Sequence, residues 1–146
     1  MNIRKGELCD LTSIINIEKA VYNKPYWNMK MLKKLFIDSI FETVWVIENG
    51  KKIIGFLIEQ RYDNEINLLN VAIDRQFQNR GIGKKLINHY LDLIPCNCSV
   101  FLEFNKSNII ARKIYVDLNF KNIGMRKNYY YDGGDALIMK LSLIHI

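Results

Sequence analysis

Two glycines one residue apart lie at the centre of the segment with the clearest chemical signal in this sequence, Gln78-Asn79-Arg80-Gly81-Ile82-Gly83-Lys84. A strand pattern precedes the segment and a helix pattern follows it. The first N–H groups of a helix have no partners within the helix and, with the helix dipole, they attract an anion. Glycine has no Cβ and lets the anion approach, while Arg80 and Lys84 add positive charge. The segment predicts a site for a phosphate-bearing ligand. The alternative is a turn that the glycines shape for structural reasons alone.

Two common nucleotide-binding motifs do not fit these residues. The Walker loop requires G-x-x-x-x-G-K-[ST], and Gly83-Lys84-Lys85 has neither the earlier glycine nor the hydroxyl. The dinucleotide fingerprint requires G-x-G-x-x-G, and Leu86 occupies the position of the third glycine. Both motifs are therefore excluded.

The elements that would position this segment follow from the hydrophobic periodicity, which predicts the order β α α β β β α β α β β. A short strand near Ile3 comes first, Asp10 is expected to cap the first helix, and Asn28 the second. Asn49-Gly50 favours a tight hairpin turn between the next two strands. A third strand, INLLNVAI, completes an antiparallel meander.

The second half of the sequence predicts two helix and strand units and a closing hairpin. The segments are a helix from Gly83 to about Leu93, the strand CSVFLEF, the helix NIIARKIYVDL, and a hairpin of FKNIGMRKNYYY and ALIMKLSL with its turn at DGGD. The whole order describes a mixed α/β domain built around one largely antiparallel sheet. The length of 146 residues fits one domain over residues 1–146.

Composition and charge narrow the classes of protein. With 49% hydrophobic and 25% charged residues the chain has the composition of a globular protein. No apolar run approaches the ~20 residues that span a bilayer, and the start lacks a secretory signal, so we expect a cytoplasmic protein without a membrane partner. The net charge of +6 suits RNA, a ribosome or a phosphorylated cofactor, with a solvated basic surface as the alternative.

The cysteines predict neither a disulfide framework nor a metal site. Cys96-x-Cys98 has no matching second pair, Cys9 stands apart, and the only histidines are His89 and His145. We interpret the cysteines as reduced packing residues and expect no metal.

The glycine segment also fits the pattern [Gln/Arg]-x-x-Gly-x-[Gly/Ala] between a strand and a helix, and in this the sequence resembles the GNAT superfamily of acetyl-CoA-dependent N-acetyltransferases. Three longer stretches, LLNVAIDRQFQNRGIGKKLI, LEFNKSNIIARKIYVDLNF and RKNYYYDGGDALIM, resemble its RimI branch, the bacterial N-terminal acetyltransferases of a ribosomal protein. The resemblance covers effectively the whole domain and is densest from Leu68 to Met139. It implies the GNAT fold, an α/β (α+β) fold with a mixed, mostly antiparallel central sheet flanked by helices.

The resemblance implies acetyl-CoA as co-substrate. Its pyrophosphate would lie on the main-chain N–H groups from Asn79 to Lys84, beside Gln78. Its pantetheine arm would lie along the preceding strand, where the main chain of Val71 and Ile73, with Ala72 between them, would bind it. Asn108 matches the asparagine that binds this arm in the family, and the alternative for Asn108 is a helix cap.

The resemblance also assigns two catalytic roles. Glu103 matches the general base, which removes a proton from an amine whose pKa is near ~8. Tyr115 matches the general acid, which returns a proton to the departing thiolate. The alternatives are a solvent-facing strand residue for Glu103 and a core aromatic for Tyr115, and the periodicity alone does not decide between them.

Substrate binding is implied for two tyrosines and a tryptophan. Tyr129 and Tyr130 match residues that line the peptide groove, with Arg126 and Asn128 as their supports, and hairpin packing is the alternative. Trp27 lies at the entry to the second helix and belongs to a second wall of the peptide groove.

The sequence departs from the family pattern at that wall and at two further positions. Tyr26 is inserted before Trp27 and shifts this wall. Asn105 stands where the family often has an arginine, and Tyr131 replaces a proline. Each of these departures could alter the preference for the first residue of the substrate.

The implied function is transfer of acetyl to a protein N-terminus, in the RimI branch the N-terminal alanine of small-subunit ribosomal protein number eighteen. One alternative is acetylation of a small amine or a lysine side chain. A polyamine would require an acidic pocket, whereas the region around Tyr129 is basic. A second alternative is a non-catalytic acyl-CoA-binding or RNA-binding module. No DNA binding is expected, and the oligomeric state stays open, with a monomer as the working expectation.

Overall fold

The structure is a computed structural model that describes residues 1–22 and 27–143. Its strands and helices follow the predicted order. They are β1 (Asn2–Lys5), α1 (Leu11–Val21), α2 (Met29–Asp38), β2 (Glu42–Asn49), β3 (Lys52–Tyr62), β4 (Glu65–Ile73), α3 (Ile82–Leu93), β5 (Ser99–Asn105), α4 (Ile109–Asp117), β6 (Lys121–Arg126) and β7 (Ala136–Ser142). No helix within the described ranges is long and apolar enough to cross a bilayer.

One seven-stranded sheet with the order β1-β2-β3-β4-β5-β7-β6 connects all the strands. Only β4 and β5 pair in parallel, and the other neighbours are antiparallel. The predicted fold class, a mixed and mostly antiparallel sheet, is therefore confirmed.

Helices cover both faces of the sheet and give it two cores. On one face α1 and α2 contribute Ile14 and Leu32, which pack with Phe56 of β3. On the other face α3 contributes Leu86, which packs with Leu57 of β3. Because β3 is covered on both sides, its apolar residues are buried without alternation, as expected for a central strand.

A β-bulge in β4 changes which of its side chains face each core. Ile58 of β3 pairs with Asn70 and Glu59 pairs with Leu68, which leaves Leu69 without a partner on β3. One extra residue shifts the side-chain alternation by one position and bends the strand. Leu68 therefore packs in the α3 and α4 core, whereas Ala72, also an even-numbered residue, packs in the α1 and α2 core.

Several local predictions need correction. Asp10 precedes α1 but does not cap it, because its carboxylate accepts hydrogen bonds from the Arg4 guanidinium and from the Glu7 N–H. Asn49 is still paired with Lys52, so the hairpin turn contains residues 50 and 51 instead of Asn49-Gly50.

The closing hairpin and the cysteines also differ from expectation. β6 ends at Arg126, so the tyrosines belong to a long connection, residues 127–135, and not to a strand. Of the three cysteines, only Cys98 is buried. The inserted Tyr26 lies outside the described residues.

Candidate active site

A groove of about 1680 Å³ opens where β4 and β5 separate. The two strands are paired from Glu65 and Ser99 as far as Leu68 and Leu102. The bulge at Leu69 follows at once, and beyond it β4 continues to Ile73 without a partner on this side. The bulge therefore explains the separation, because it bends β4 away from β5.

The glycine segment forms one end of the groove, termed here the phosphate end. Asn79 has a φ of +63° and Gly81 a φ of +75°, both in the left-handed region that favours glycine and tolerates asparagine. The first hydrogen bond of α3 runs from Lys85 N to Gly81 O at 3.0 Å. The N–H groups of residues 82–84 consequently have no acceptor within the helix and point out of its end, as an anion site requires.

Packing within the chain does not demand a glycine at position 83. A Cβ there would lie 3.6 Å from Ile114 Cδ1 and 3.7 Å from Ile73 Cγ1, which are ordinary contacts. The missing side chain instead leaves the start of α3 open to the groove, which Gly83 lines. This supports close approach of a ligand over a purely structural turn.

Three cations lie near the phosphate end: Lys84 lines the groove, and Arg80 and Lys52 contact the ring of Phe77, which also lines it. Arg80 Cζ and Lys52 Nζ lie 5.5 Å and 5.4 Å from the centre of the Phe77 ring, at cation–π distance. Lys84 Nζ lies 3.7 Å from Asp117 Oδ2, and both side chains are exposed. The positive charge predicted from Arg80 and Lys84 is thus present, with Lys84 partly balanced by Asp117.

Side-chain donors already bind two carbonyl groups of β4. Gln78 Nε2 donates to Ile73 O at 2.9 Å, and the Tyr22 hydroxyl lies 3.2 Å from Val71 O. Each carbonyl oxygen keeps a second lone pair. Gln78 therefore fixes the strand with its side chain, and the predicted binding of the pantetheine arm by Val71 and Ile73 stays a prediction.

Glu103 lies at the other end of the groove, termed here the acceptor end. Its Oε1 atom lies 3.0 Å from Arg126 Nε. The Arg126 guanidinium lies 5.6 Å from the centre of the Tyr129 ring, which contacts Tyr130 edge to face at 5.2 Å. Glu103 thus meets three side chains from the segment 126–130, which is distant from it in sequence, and all four residues line the groove.

Two aspartates hold the tyrosine connection, residues 127–135, against the end of β5. Asn105 Nδ2 donates to both oxygens of Asp132, at 3.3 Å and 3.2 Å. Asp135 accepts from Asn128 N through its side chain, and from Lys106 N through its carbonyl. Neither aspartate was predicted from the sequence to support the site, although aspartate in a glycine-containing turn commonly bonds the backbone in this way.

Tyr115 is buried between two other rings yet still lines the groove. The ring centres of Phe104 and Phe120 lie 5.3 Å and 5.6 Å away. Burial raises the pKa of the Tyr115 hydroxyl to about 12. The phenol is therefore protonated at neutral pH, which both the core role and the proton-donor role allow.

Asn108 caps α4, as the helix-cap alternative predicts. Its Oδ1 atom accepts from Ala111 N at 3.0 Å. The Nδ2 group is not used in this bond, and Asn108 is one of the residues that line the groove. Its predicted contact with the cofactor arm would rely on that group.

Trp27 packs with the α1 and α2 core and is not among the residues that line the groove. The main-chain N–H of Trp27 donates to Glu18 Oε2 at 3.0 Å, and Asn70 Nδ2 donates to Glu18 Oε1 at 3.0 Å. Glu18 is fully buried, and it joins α1 to β4 beside the bulge. A charged residue four positions after Ile14, on the apolar face of the helix, was the signal that could have indicated it.

Metal ligation has no support among residues 1–22 and 27–143, where no three histidine, cysteine or acidic side chains converge on one point.

The family model described as the acetyltransferase (GNAT) family matches residues 11–120. The chain belongs to the GNAT acetyltransferases. It is 39% identical over 140 residues to the ribosomal protein bS18 alanine N-acetyltransferase of Haemophilus ducreyi, covering 92% of this chain and 94% of the relative. The enzyme of that name from Escherichia coli K12 is 32% identical over 145 residues, 94% of each chain.

Solved structures agree with this assignment. The crystal structure of the Escherichia coli ribosomal protein S18 alanine N-acetyltransferase superposes with a TM-score of 0.90 at 29% identity, covering 99% of this chain and 95% of that one. The predicted resemblance to the GNAT superfamily is confirmed. The protein is an acetyl-CoA-dependent N-acetyltransferase.

Proposed function

We propose that the protein transfers the acetyl group of acetyl-CoA to the N-terminal α-amino group of a protein, with the N-terminal alanine of ribosomal protein bS18 as its target. The observation that carries the proposal is the acceptor end, where Glu103 and the ring of Tyr129 face one groove with the phosphate end. The names of the relatives from two bacteria support the choice of target.

The phosphate end fits the diphosphate of the co-substrate. The free N–H groups at the start of α3 and the cations Arg80 and Lys84 favour two negative charges there. The gap between β4 and β5 would take the pantetheine arm, and it leads from α3 to Glu103. Orientation of amine against thioester in this way can contribute about 7 to 11 kcal/mol.

Glu103 would remove the proton from the amine. The neutral nitrogen attacks the thioester carbonyl, a carbon–nitrogen bond forms, and the carbon–sulfur bond breaks to leave the thiolate of coenzyme A. The amine proton passes to the Glu103 carboxylate directly or through a water. The Oε2 atom is available for this, because the short contact with Arg126 involves Oε1.

Tyr115 would act on the thiolate mainly as a hydrogen-bond donor. Its pKa is raised to about 12, whereas a thiol has a pKa of roughly 8.5. Complete transfer of the phenol proton would cost about 5 kcal/mol at 1.36 kcal/mol per unit of pKa. Burial therefore makes complete return of the proton costly, because it disfavours the phenolate.

The Glu103→Gln variant tests the assignment of the base. We expect the rate with an alanine-led bS18 peptide to fall about 10²- to 10⁴-fold, while acetyl-CoA affinity by calorimetry is retained. Glu48→Gln is a matched control, since Glu48 also pairs with an arginine, Arg4 at 3.0 Å, but away from the groove. Unchanged turnover in Glu103→Gln would refute the base.

A panel of acceptors tests the substrate class. Release of free thiol is followed with an alanine-led ribosomal peptide, with spermidine, and with a lysine peptide whose N-terminus is blocked. We expect release with the first peptide. Release with the blocked peptide alone would overturn the N-terminal assignment, and binding of acetyl-CoA without release for any amine would indicate a non-catalytic module.

A further inference from the structure

The carboxylate at the acceptor end already has a cation beside it. Arg126 and Glu103 come from β6 and β5, which lie on either side of β7, and their side chains meet across that strand with 3.0 Å between Nε and Oε1. The ring of Tyr129 supports the other side of the guanidinium at 5.6 Å. Arginine is suited to this arrangement, because its planar group can pair with a carboxylate and stack on a ring together.

The ion pair changes the charge that an incoming amine meets. The side chains lining the groove that are charged at neutral pH are Glu65, Glu103, Asp117, Arg75, Lys84, Lys113 and Arg126. Lys84 and Asp117 pair at the phosphate end, and Arg126 neutralises Glu103 at the acceptor end. A cationic acceptor therefore meets an acceptor end with a net charge of roughly zero. Without Arg126, the carboxylate of Glu103 would make that charge negative.

Acceptor amines differ in how often they are cationic. An α-amino group has a pKa near ~8 and is about half neutral at pH 8, whereas a lysine amine with a pKa near ~10.4 is almost entirely charged. Two unit charges 4 Å apart interact by about 1 kcal/mol in water, and Arg126 is largely exposed, which keeps the interaction near that value.

We propose that Arg126 is a specificity-determining residue, which disfavours acceptors that are almost entirely cationic and so selects α-amino groups over lysine side chains and polyamines. This inference rests on the proposed N-terminal acetyltransferase function. Charge at the acceptor end, and not only the shape of the groove, would then determine which amine is acetylated.

Selectivity is measured as the ratio of kcat/KM for two acceptors, an alanine-led peptide without lysine and a peptide with a blocked N-terminus and one lysine. In Arg126→Met we expect this ratio to fall about five- to tenfold, through a lower KM for the lysine peptide, since its charge then meets Glu103 alone. Arg126→Lys keeps the cation and should keep most of the selectivity. Arg112→Met removes the same charge from an exposed position on α4 outside the groove and should leave the ratio unchanged.

The outcomes separate the two proposals. An unchanged ratio in Arg126→Met, with the α-amine still acetylated, overturns the inference and leaves the proposed function intact. An equal loss of kcat/KM for both acceptors also overturns it, because Arg126 would then only support the structure. Wild-type protein that acetylates lysine but not the α-amine overturns both.

Discussion

The two ends of the groove are built from different materials. The phosphate end consists mainly of backbone, because consecutive residues from Asn79 to Lys84 supply its left-handed turn and its free N–H groups. The acceptor end consists of side chains from β5, β6 and the connection 127–135, which tertiary contacts alone bring together. A change of one residue should therefore abolish ligand binding at the phosphate end and only weaken binding at the acceptor end.

Gly81→Val should have the largest effect on ligand binding, at the phosphate end. A β-branched residue at a φ of +75° is strained, and its side chain would point into open space where the ligand is expected. We expect acetyl-CoA affinity to fall at least about 100-fold by calorimetry, with about 1 to 3 kcal/mol lost from the free energy of unfolding.

Gly50→Val separates strain from binding. Gly50 also has a positive φ, +64°, with nothing within 4 Å of its Cβ position, but it lies in the β2–β3 hairpin away from the groove. It should lose a similar free energy of unfolding and bind acetyl-CoA normally. Equal binding by the two variants would contradict the role of the glycine segment.

Tyr115→Phe should have an intermediate effect, near the meeting point of the two ends. Loss of a donor to the departing thiolate is expected to lower kcat about 100-fold and to leave acetyl-CoA affinity nearly unchanged. Tyr90→Phe is the control. Tyr90 is also buried, but its hydroxyl donates to Glu59 at 3.0 Å and the residue does not line the groove, so that variant should lose stability with little change in kcat.

The pH dependence of stability tests the surroundings of Tyr115 independently of activity. Burial raises its pKa from 10.0 to about 12, so the unfolded chain loses this proton first. The stabilisation is complete below pH 10 and is lost as the pH rises towards 12. Over that range the free energy of unfolding should fall about 3 kcal/mol more in wild type than in Tyr115→Phe. Parallel curves would show that Tyr115 is not buried in the neutral form.

Asn105→Ala should have the smallest effect, at the acceptor end. It removes the bonds to Asp132, whereas Asp135 still holds the connection 127–135. We expect the KM for the peptide to rise about three- to tenfold, as loss of the exposed hydrogen bonds with Asp132 and Ser107 implies, with kcat little changed. Asn97→Ala removes a comparable exposed bond, 3.3 Å to Asn64, away from the tyrosines, and should leave the KM unchanged.

Local signals were sufficient for the elements and for the phosphate end. Periodicity predicted the order of helices and strands, and Asn28 caps α2 as expected, because its side chain bonds to Met31 three residues on. A partner outside the helix explains the failure at Asp10. Arg4 of β1 binds the carboxylate of Asp10, which therefore does not cap α1.

The acceptor end could be predicted only through family resemblance. The pattern RKNYYY indicated the tyrosines, but not that Arg126 lies between Glu103 and Tyr129, since that depends on how β7 separates β5 and β6. The sequence of β4 does contain a signal that could have predicted the bulge. Leu68 and Leu69 are adjacent apolar residues that break strict alternation in β4.

The bulge at Leu69 also makes strand length a functional quantity. With one residue fewer, the alternation of β4 would stay in phase, and the strand could continue alongside β5 and close the gap between them. The cleft of this enzyme can thus be described as a dislocation in the hydrogen-bond lattice of the sheet. Insertions or deletions within β4 would be tolerated far less well than substitutions of its exposed side chains.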